Sequence, residues 1–173
     1  MDYTYFEQLE KNLELQASGF LMQKETRNLE SQIRTEVVQY ELSERLRFNL
    51  GSEISFIAKE LGNIVGVLEE VNTDHFVTKS FNINTIYSMA KVISFDTLAL
   101  STRKPNNLES KWNLASALRS LMITKIGIKL VLEGNQVFSG IVVSILKDHF
   151  DVKCGQVIKS ISYVNIISVS SQI

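Results

Sequence analysis

Two histidines, His75 and His149, are the first residues to consider for chemistry, because imidazole is a general acid, a general base and a metal ligand. Each stands in an Asp-His-Phe triplet, and the triplets occupy equivalent positions of an internal repeat. A catalytic or metal-binding pair would have to converge on one site together with carboxylates. Equivalent positions of two separate repeats do not generally converge. We therefore expect both histidines on the surface, beside a turn aspartate that accepts local backbone hydrogen bonds.

Other catalytic signals are missing from the sequence. It contains no glycine motif for phosphate, no nucleophile elbow and no paired His/Cys cluster. The single cysteine, Cys154, rules out an internal disulfide and a cysteine-based zinc site. We predict that the protein is not an enzyme and uses no cofactor, no metal and no small-molecule substrate.

The charges divide unevenly along the chain. Residues 1–100 carry nine Lys/Arg and fifteen Asp/Glu, a balance of -6, whereas residues 101–173 carry nine and four, a balance of +5. Two partners would suit this split: an acidic half that meets the basic half of another copy, or a basic half that meets RNA. The residues predicted to contact RNA or a protein partner are Lys147, His149, Lys153 and Lys159.

The chain repeats itself at a constant displacement without a gap, with Leu50 to Thr97 falling on Thr124 to Ser171. Gly66 falls on Gly140, and the apolar phase on both sides is kept. One small fold used twice explains such a pattern. Alternating apolar residues predict five short strands in each copy, and the recurring glycine predicts a bend or a close backbone approach in the second strand.

Helical periodicity precedes both copies. Residues 2–49 show apolar spacings of three and four, which suit either a coiled coil or a helical hairpin packed on the rest of the chain. A polar linker around Pro105 is followed by an amphipathic stretch that carries Leu114, Leu118 and Leu121. We therefore expect a helix before each set of strands.

The order of a helix, five strands, a glycine in the second strand and an Asp-His-Phe turn resembles the Sm-like fold, a small SH3-like barrel. The whole layout also resembles a family of actinobacterial proteins with amino-terminal helices and two Sm-like barrels, a resemblance that implies no function. It implies an α+β fold in which a helical region is followed by two tandem five-stranded barrels, each preceded by a helix. The expected segments are a helical region over 1–49, a first barrel over 50–100, a linker and helix over 101–123, and a second barrel over 124–173.

The resemblance implies rings of barrels and RNA binding between two loops. Asn72 to Phe76 and Lys147 to Asp151 correspond to the first of these loops, but the basic signature of the second loop is absent from Met89-Ala90-Lys91 and Tyr163-Val164-Asn165. We therefore predict a non-enzymatic assembly or interaction module that self-associates or binds a protein. An RNA-binding regulator is the alternative, and an enzyme of unrecognised type is a third. Without a signal peptide or a long apolar run, we expect a cytoplasmic protein that does not enter a membrane.

Overall fold

A computed structural model describes residues 41–107 and 109–172, together with residues 19, 22–24, 26 and 27. The fold divides into the units Met1–Tyr40 and Glu41–Ile173. The six described residues of the first unit are helical. The predicted coiled coil or hairpin over residues 1–49 otherwise lies outside the described residues as far as Tyr40.

Ten strands and two short α-helices make up most of the second unit. The helices are α1 (Leu42–Phe48) and α2 (Leu114–Thr124), and short 3-10 turns occupy Met89–Lys91, Glu109–Lys111 and Tyr163–Asn165. The strands are β1 (Glu53–Ala58), β2 (Gly62–Val71), β3 (His75–Ser80), β4 (Ile83–Ser88), β5 (Val92–Phe95), β6 (Gly127–Leu132), β7 (Gln136–Ile145), β8 (His149–Cys154), β9 (Val157–Ser162) and β10 (Ile166–Gln172). The predicted strands and the helix before each set are therefore confirmed, and each of β1 to β5 begins at the repeat equivalent of the residue that begins β6 to β10.

The predicted α+β fold with two tandem five-stranded Sm-like barrels is wrong. All ten strands form one open antiparallel sheet in the order β5-β1-β2-β3-β4-β10-β6-β7-β8-β9. The described residues of the second unit are mostly β, and its two α-helices have only 7 and 11 residues. A coiled coil is not supported either, because seven residues make only about two turns.

The sheet is continuous because β4 and β10 pair with each other and face both hydrophobic cores. The sheet has a first half, β1 to β5, and a second half, β6 to β10, and each half has its own hydrophobic core. Ile86 of β4 packs into the core of the second half, whereas its neighbour Tyr87 packs into the core of the first half. In β10, Ile167 belongs to the first core and its neighbour Ile166 to the second. Successive residues of a strand point to opposite faces. Separating the halves would expose both strands and leave the backbone groups on one side of each strand unpaired.

Gly140 and Gly66 let the following strand approach β7 and β2. A methyl group on Gly140 would meet the carbonyl oxygen of Lys153 and would lie 2.7 Å from Val152 Cγ1. On Gly66 it would lie 3.2 Å from the Thr78 side chain. A glycine within a strand often marks the close approach of another backbone. The predicted role of the repeated glycine is confirmed.

The two helices are held to the sheet by different means. In α1, Leu46 is fully buried and Arg47, 2% exposed, donates from Nε to the Val71 carbonyl oxygen at 3.2 Å. In α2, Leu118 is buried, and Asn113 caps the helix by accepting a hydrogen bond from the Ser116 N–H at 2.9 Å.

Candidate functional site

The four predicted contact residues lie in the last strands of the sheet but do not form one site. Lys147 is exposed in the turn between β7 and β8, and His149 is the first residue of β8. Lys153 of β8 pairs with Ile158, whereas Lys159 of β9 pairs with Val152. Because paired residues share a face and neighbours alternate, Lys153 and Lys159 lie on opposite faces of the sheet.

The Lys159 side chain also contacts an aromatic ring. Its Nζ lies 4.3 Å from the centroid of the Phe138 ring, a cation–π contact on the face of the sheet that carries the second core. The basic second half therefore offers scattered lysines and no continuous basic strip along β8 and β9.

The two histidines differ although their triplets are identical in sequence. His149 is 38% exposed and donates from Nδ1 to Asp148 at 2.7 Å, which lowers the pKa of Asp148. His75 is fully buried, so the expectation that both histidines lie on the surface is wrong for His75. Asn72 and Glu70 lie beside His75, and their equivalents in the repeat, Leu146 and Ser144, offer no amide or carboxylate.

Hydrogen bonds around His75 determine its tautomer. Asn72 donates from Nδ2 to Glu70 Oε1 at 2.6 Å, so this atom must be the nitrogen, and it also lies 3.1 Å from His75 Nε2. Nε2 is then the acceptor, and Nδ1 carries the proton that it donates to Asp74 at 2.6 Å. Both nitrogens of the imidazole are therefore satisfied.

Asp74 connects this buried histidine to α2. Its second oxygen accepts a hydrogen bond from the Leu114 N–H at 2.9 Å, in the first turn of the helix. Burial raises the pKa of Asp74, but the hydrogen bonds from His75 and Leu114 outweigh burial and hold the pKa below its usual value. A carboxylate at a helix amino terminus also interacts favourably with the helix dipole. The triplet of the first half thus holds α2 in place.

A cavity of about 580 Å³ lies between the turns of the two halves and contains one of the predicted residues, Lys147. Asp74, Asn113 and Met89 line it from the first half and α2, and Tyr163 lines it from the second half. Asp74 is engaged by His75 and Leu114, and none of the described hydroxyl groups that line this cavity is hydrogen-bonded to a side-chain base. Among the described residues, no group of three or more His, Cys, Asp or Glu side chains could hold a metal ion.

The junction of β4 with β10 is the most extensive contact between the halves. Thr85 stands opposite Ser170, and their hydroxyl oxygens lie 3.1 Å apart. Beside this pair of strands, Glu133 accepts from Lys59 at 2.5 Å and lies 3.0 Å from Lys91 Nζ. The hydrogen bonds from Lys59 and Lys91 lower the pKa of Glu133. The junction therefore combines a strand pair with charged contacts between turns.

The two outer strands of the sheet are the repeat equivalents of the strands that pair at the junction. When the two copies are aligned, β9 falls on β4 and β5 falls on β10. Among the described strands, each outer strand has a sheet neighbour on one side alone. Asp96, just after β5, and Ile93 within it are exposed, and sequence reasoning did not select either residue. Once the junction is known, the repeat identifies both residues, because Asp96 aligns with Ser170 and Ile93 aligns with Ile167.

Comparison with known protein families and with curated proteins finds no match to this chain, and the resemblance to Sm-like proteins stays a prediction from its sequence. No helix in the described part of the chain is long and apolar enough to cross a membrane.

Proposed function

We propose that this protein is a non-enzymatic assembly module that self-associates by extending its sheet, β9 of one copy pairing with β5 of the next. The observation that carries the proposal is the equivalence of these two edges with β4 and β10, which already pair within the chain. An outer strand presents unpaired N–H and C=O groups, which favour pairing with another strand. As part of the proposal, the assembly acts in the cytoplasm, where a single unpaired cysteine is ordinary.

The register of the junction predicts which residues would meet between copies. Thr85 and Ser170 are opposite each other at the junction, and their equivalents in the other copy of the repeat are Lys159 and Asp96. A contact between two hydroxyls within the chain would thus become a contact between opposite charges from two copies. Opposite charges at a directly paired position stabilise a sheet by about 0.2–1 kcal/mol.

Exposed apolar residues on the outer strands also fit this pairing. Ile167 is fully buried at the junction, whereas its equivalent on β5, Ile93, is 68% exposed. On β9, Val157 and Ile158 are 58% and 62% exposed. By analogy with the junction, pairing with a second copy would bury Ile93 and cover part of Val157, whose equivalent Ile83 is 39% exposed there, and would stabilise the assembly by the hydrophobic effect.

Pairing two different edges has a consequence for the size of the assembly. A contact of this heterologous kind leaves one free edge at each end, so copies add until they close a ring or extend a filament. We therefore expect a mass above that of a dimer.

Charge reversal tests the register directly. Lys159→Glu and Asp96→Lys should each place like charges opposite one another and weaken association roughly fivefold or more, since the attractive and repulsive terms together amount to about 1 kcal/mol. The double variant should restore association. Lys153→Glu is the matched control, because Lys153 lies on the neighbouring strand and points to the opposite face. Mass by light scattering over a concentration series measures each effect, and circular dichroism checks the fold.

An apolar change provides a second, independent test. Ile93→Ser should weaken association, whereas Ile123→Ser, at an equally exposed isoleucine of α2, should leave the mass unchanged. A wild-type mass of one or two copies, or a double charge variant no better than the single ones, would disprove pairing of β9 with β5.

The RNA-binding alternative is less well supported. Lys153 and Lys159 cannot contact the same strand of RNA from opposite faces of the sheet. If the lysines served RNA nevertheless, changing Lys147, Lys153 and Lys159 together to Glu would abolish RNA binding and leave the mass untouched. Fluorescence anisotropy with a labelled single-stranded RNA distinguishes this outcome from loss of assembly.

A further inference from the structure

A cavity of about 280 Å³ lies between the end of β2 and the turn before α2. Glu70 and Asn72 line it from the strand side, and Asn106, Glu109 and Trp112 line it from the turn. It is separate from both outer strands and from the cavity that holds Lys147.

Asn72 is the residue that points to a ligand. The side chain is 1% exposed, and both hydrogens of its Nδ2 are directed to Glu70 and His75. Its Oδ1 is buried and accepts no hydrogen bond from any described residue. A buried acceptor without a donor costs about 1–3 kcal/mol, so a donor placed there would stabilise the site.

The other groups around the cavity are suited to a positively charged donor. Glu70 accepts one hydrogen bond, on Oε1, and its side chain is 43% exposed. Glu109 is fixed by reciprocal hydrogen bonds with Asn106, at 2.9 and 2.8 Å, and its other oxygen lies 3.7 Å from the exposed Arg103. The Trp112 indole, 46% exposed, adds a face that attracts cations.

The fold itself does not require this arrangement. The repeat places Ser144 and Leu146 at the positions of Glu70 and Asn72, and β7 forms the same pairs with β8 that β2 forms with β3. The carboxylate and the amide are therefore additions of the first half, and their unsatisfied acceptor is not needed to build the strand.

We propose that this cavity binds an alkylammonium or guanidinium group, held by Glu70, Glu109 and the Asn72 carbonyl oxygen against the Trp112 indole. The group comes either from a free amine or from a Lys or Arg side chain. This binding is distinct from the proposed self-association and does not depend on it.

Trp112 is the only tryptophan of the chain and lines this cavity, so in the folded protein its fluorescence reports on ligand binding there. The full chain is titrated at constant ionic strength with n-butylammonium, with neutral n-butanol, and with tetramethylammonium, which is cationic but has no N–H donor. We expect saturable binding of n-butylammonium and at least tenfold weaker binding of the other two. N-acetyl-lysine methylamide and N-acetyl-arginine methylamide distinguish a side-chain ligand from a free amine.

Glu70→Gln should weaken n-butylammonium binding at least tenfold, since a hydrogen bond to a charged group is lost. Glu69→Gln is the matched control, because it removes the same charge from the adjacent residue, which does not line the cavity. Glu109→Gln gives a second test if Glu70→Gln does not fold. Binding of tetramethylammonium as tight as that of n-butylammonium, no saturable change, or unchanged binding in both cavity variants would overturn the proposal. None of these results bears on the mass of the assembly.

Discussion

Replacing each histidine with alanine should have very different effects on stability. His75 and His149 stand in the same triplet and begin equivalent strands, but His75 is fully buried and His149 is 38% exposed. If both were surface residues of a turn, neither change would cost more than about 1 kcal/mol.

The structure predicts a larger value for His75→Ala. This change removes a hydrogen bond to the carboxylate of Asp74, worth about 1.5–3 kcal/mol, and leaves an Asn72 hydrogen without its acceptor at a further cost of about 1–3 kcal/mol. Because Asp74 is partly exposed, water offsets some of this loss, and we expect about 3 kcal/mol. His149→Ala removes one exposed contact and should cost less than about 1 kcal/mol.

Urea denaturation of the full chain, followed by circular dichroism and by Trp112 fluorescence, measures both values. Because Asp74 accepts from the Leu114 N–H, His75→Ala should also loosen the start of α2 and speed amide hydrogen exchange there. Equal losses of stability for the two variants, or unchanged exchange in α2, would show that His75 does not hold Asp74 and the start of α2 in place.

Two further pairs of variants use the repeat in the same way. Gly140→Ala should destabilise the fold by about 1–3 kcal/mol because the new methyl group meets the backbone of β8. In Gly66→Ala the methyl group meets mainly the Thr78 side chain, so this change should cost less. Similar thermal midpoints for the two variants would contradict this difference. The pKa of Asp74 is lowered in the fold, so its stabilisation is present above about pH 4 and is lost as the pH falls through the folded value. Asp74→Asn should therefore flatten the decline in stability between about pH 5 and 2, measured by urea denaturation at each pH, and the exposed Asp148→Asn should change that decline less.

Local features of this fold are readable from the sequence. Ile128, Leu130 and Leu132 alternate with polar or less buried neighbours, and all three are buried in β6. Gly140 is needed where β8 approaches β7, and its recurrence as Gly66 reveals that need. Periodicity and repeated glycines report contacts between nearby segments, which is why the ten strands could be predicted.

Contacts between distant segments have no such signal. The pairing of β4 with β10 joins residues 83–88 to residues 166–172, and the sequence of neither strand indicates which strand it pairs with. The burial of His75 likewise depends on Asn72, Glu70 and a helix that begins far along the chain, at Leu114. Sequence reasoning treated the two triplets as equals because it compared the residues within them and not the residues around them.

The open sheet also explains why a single chain leaves the backbone hydrogen-bonding groups at its two outer edges without strand partners. Two halves make one junction between β4 and β10 and leave β5 and β9 with the same backbone pattern and no further partner in the sheet. Adding a second chain makes another junction but again leaves two edges, so only closure into a ring removes them. In such an assembly the cavity beside Asn72 would occur once for every two repeats, because Ser144 and Leu146 replace its strand-side residues in the second half. Each chain of the ring would then contribute two strand junctions, one internal and one shared with its neighbour, but only one binding site. Ligand stoichiometry per chain should therefore be one, measured by titration calorimetry on the assembled protein.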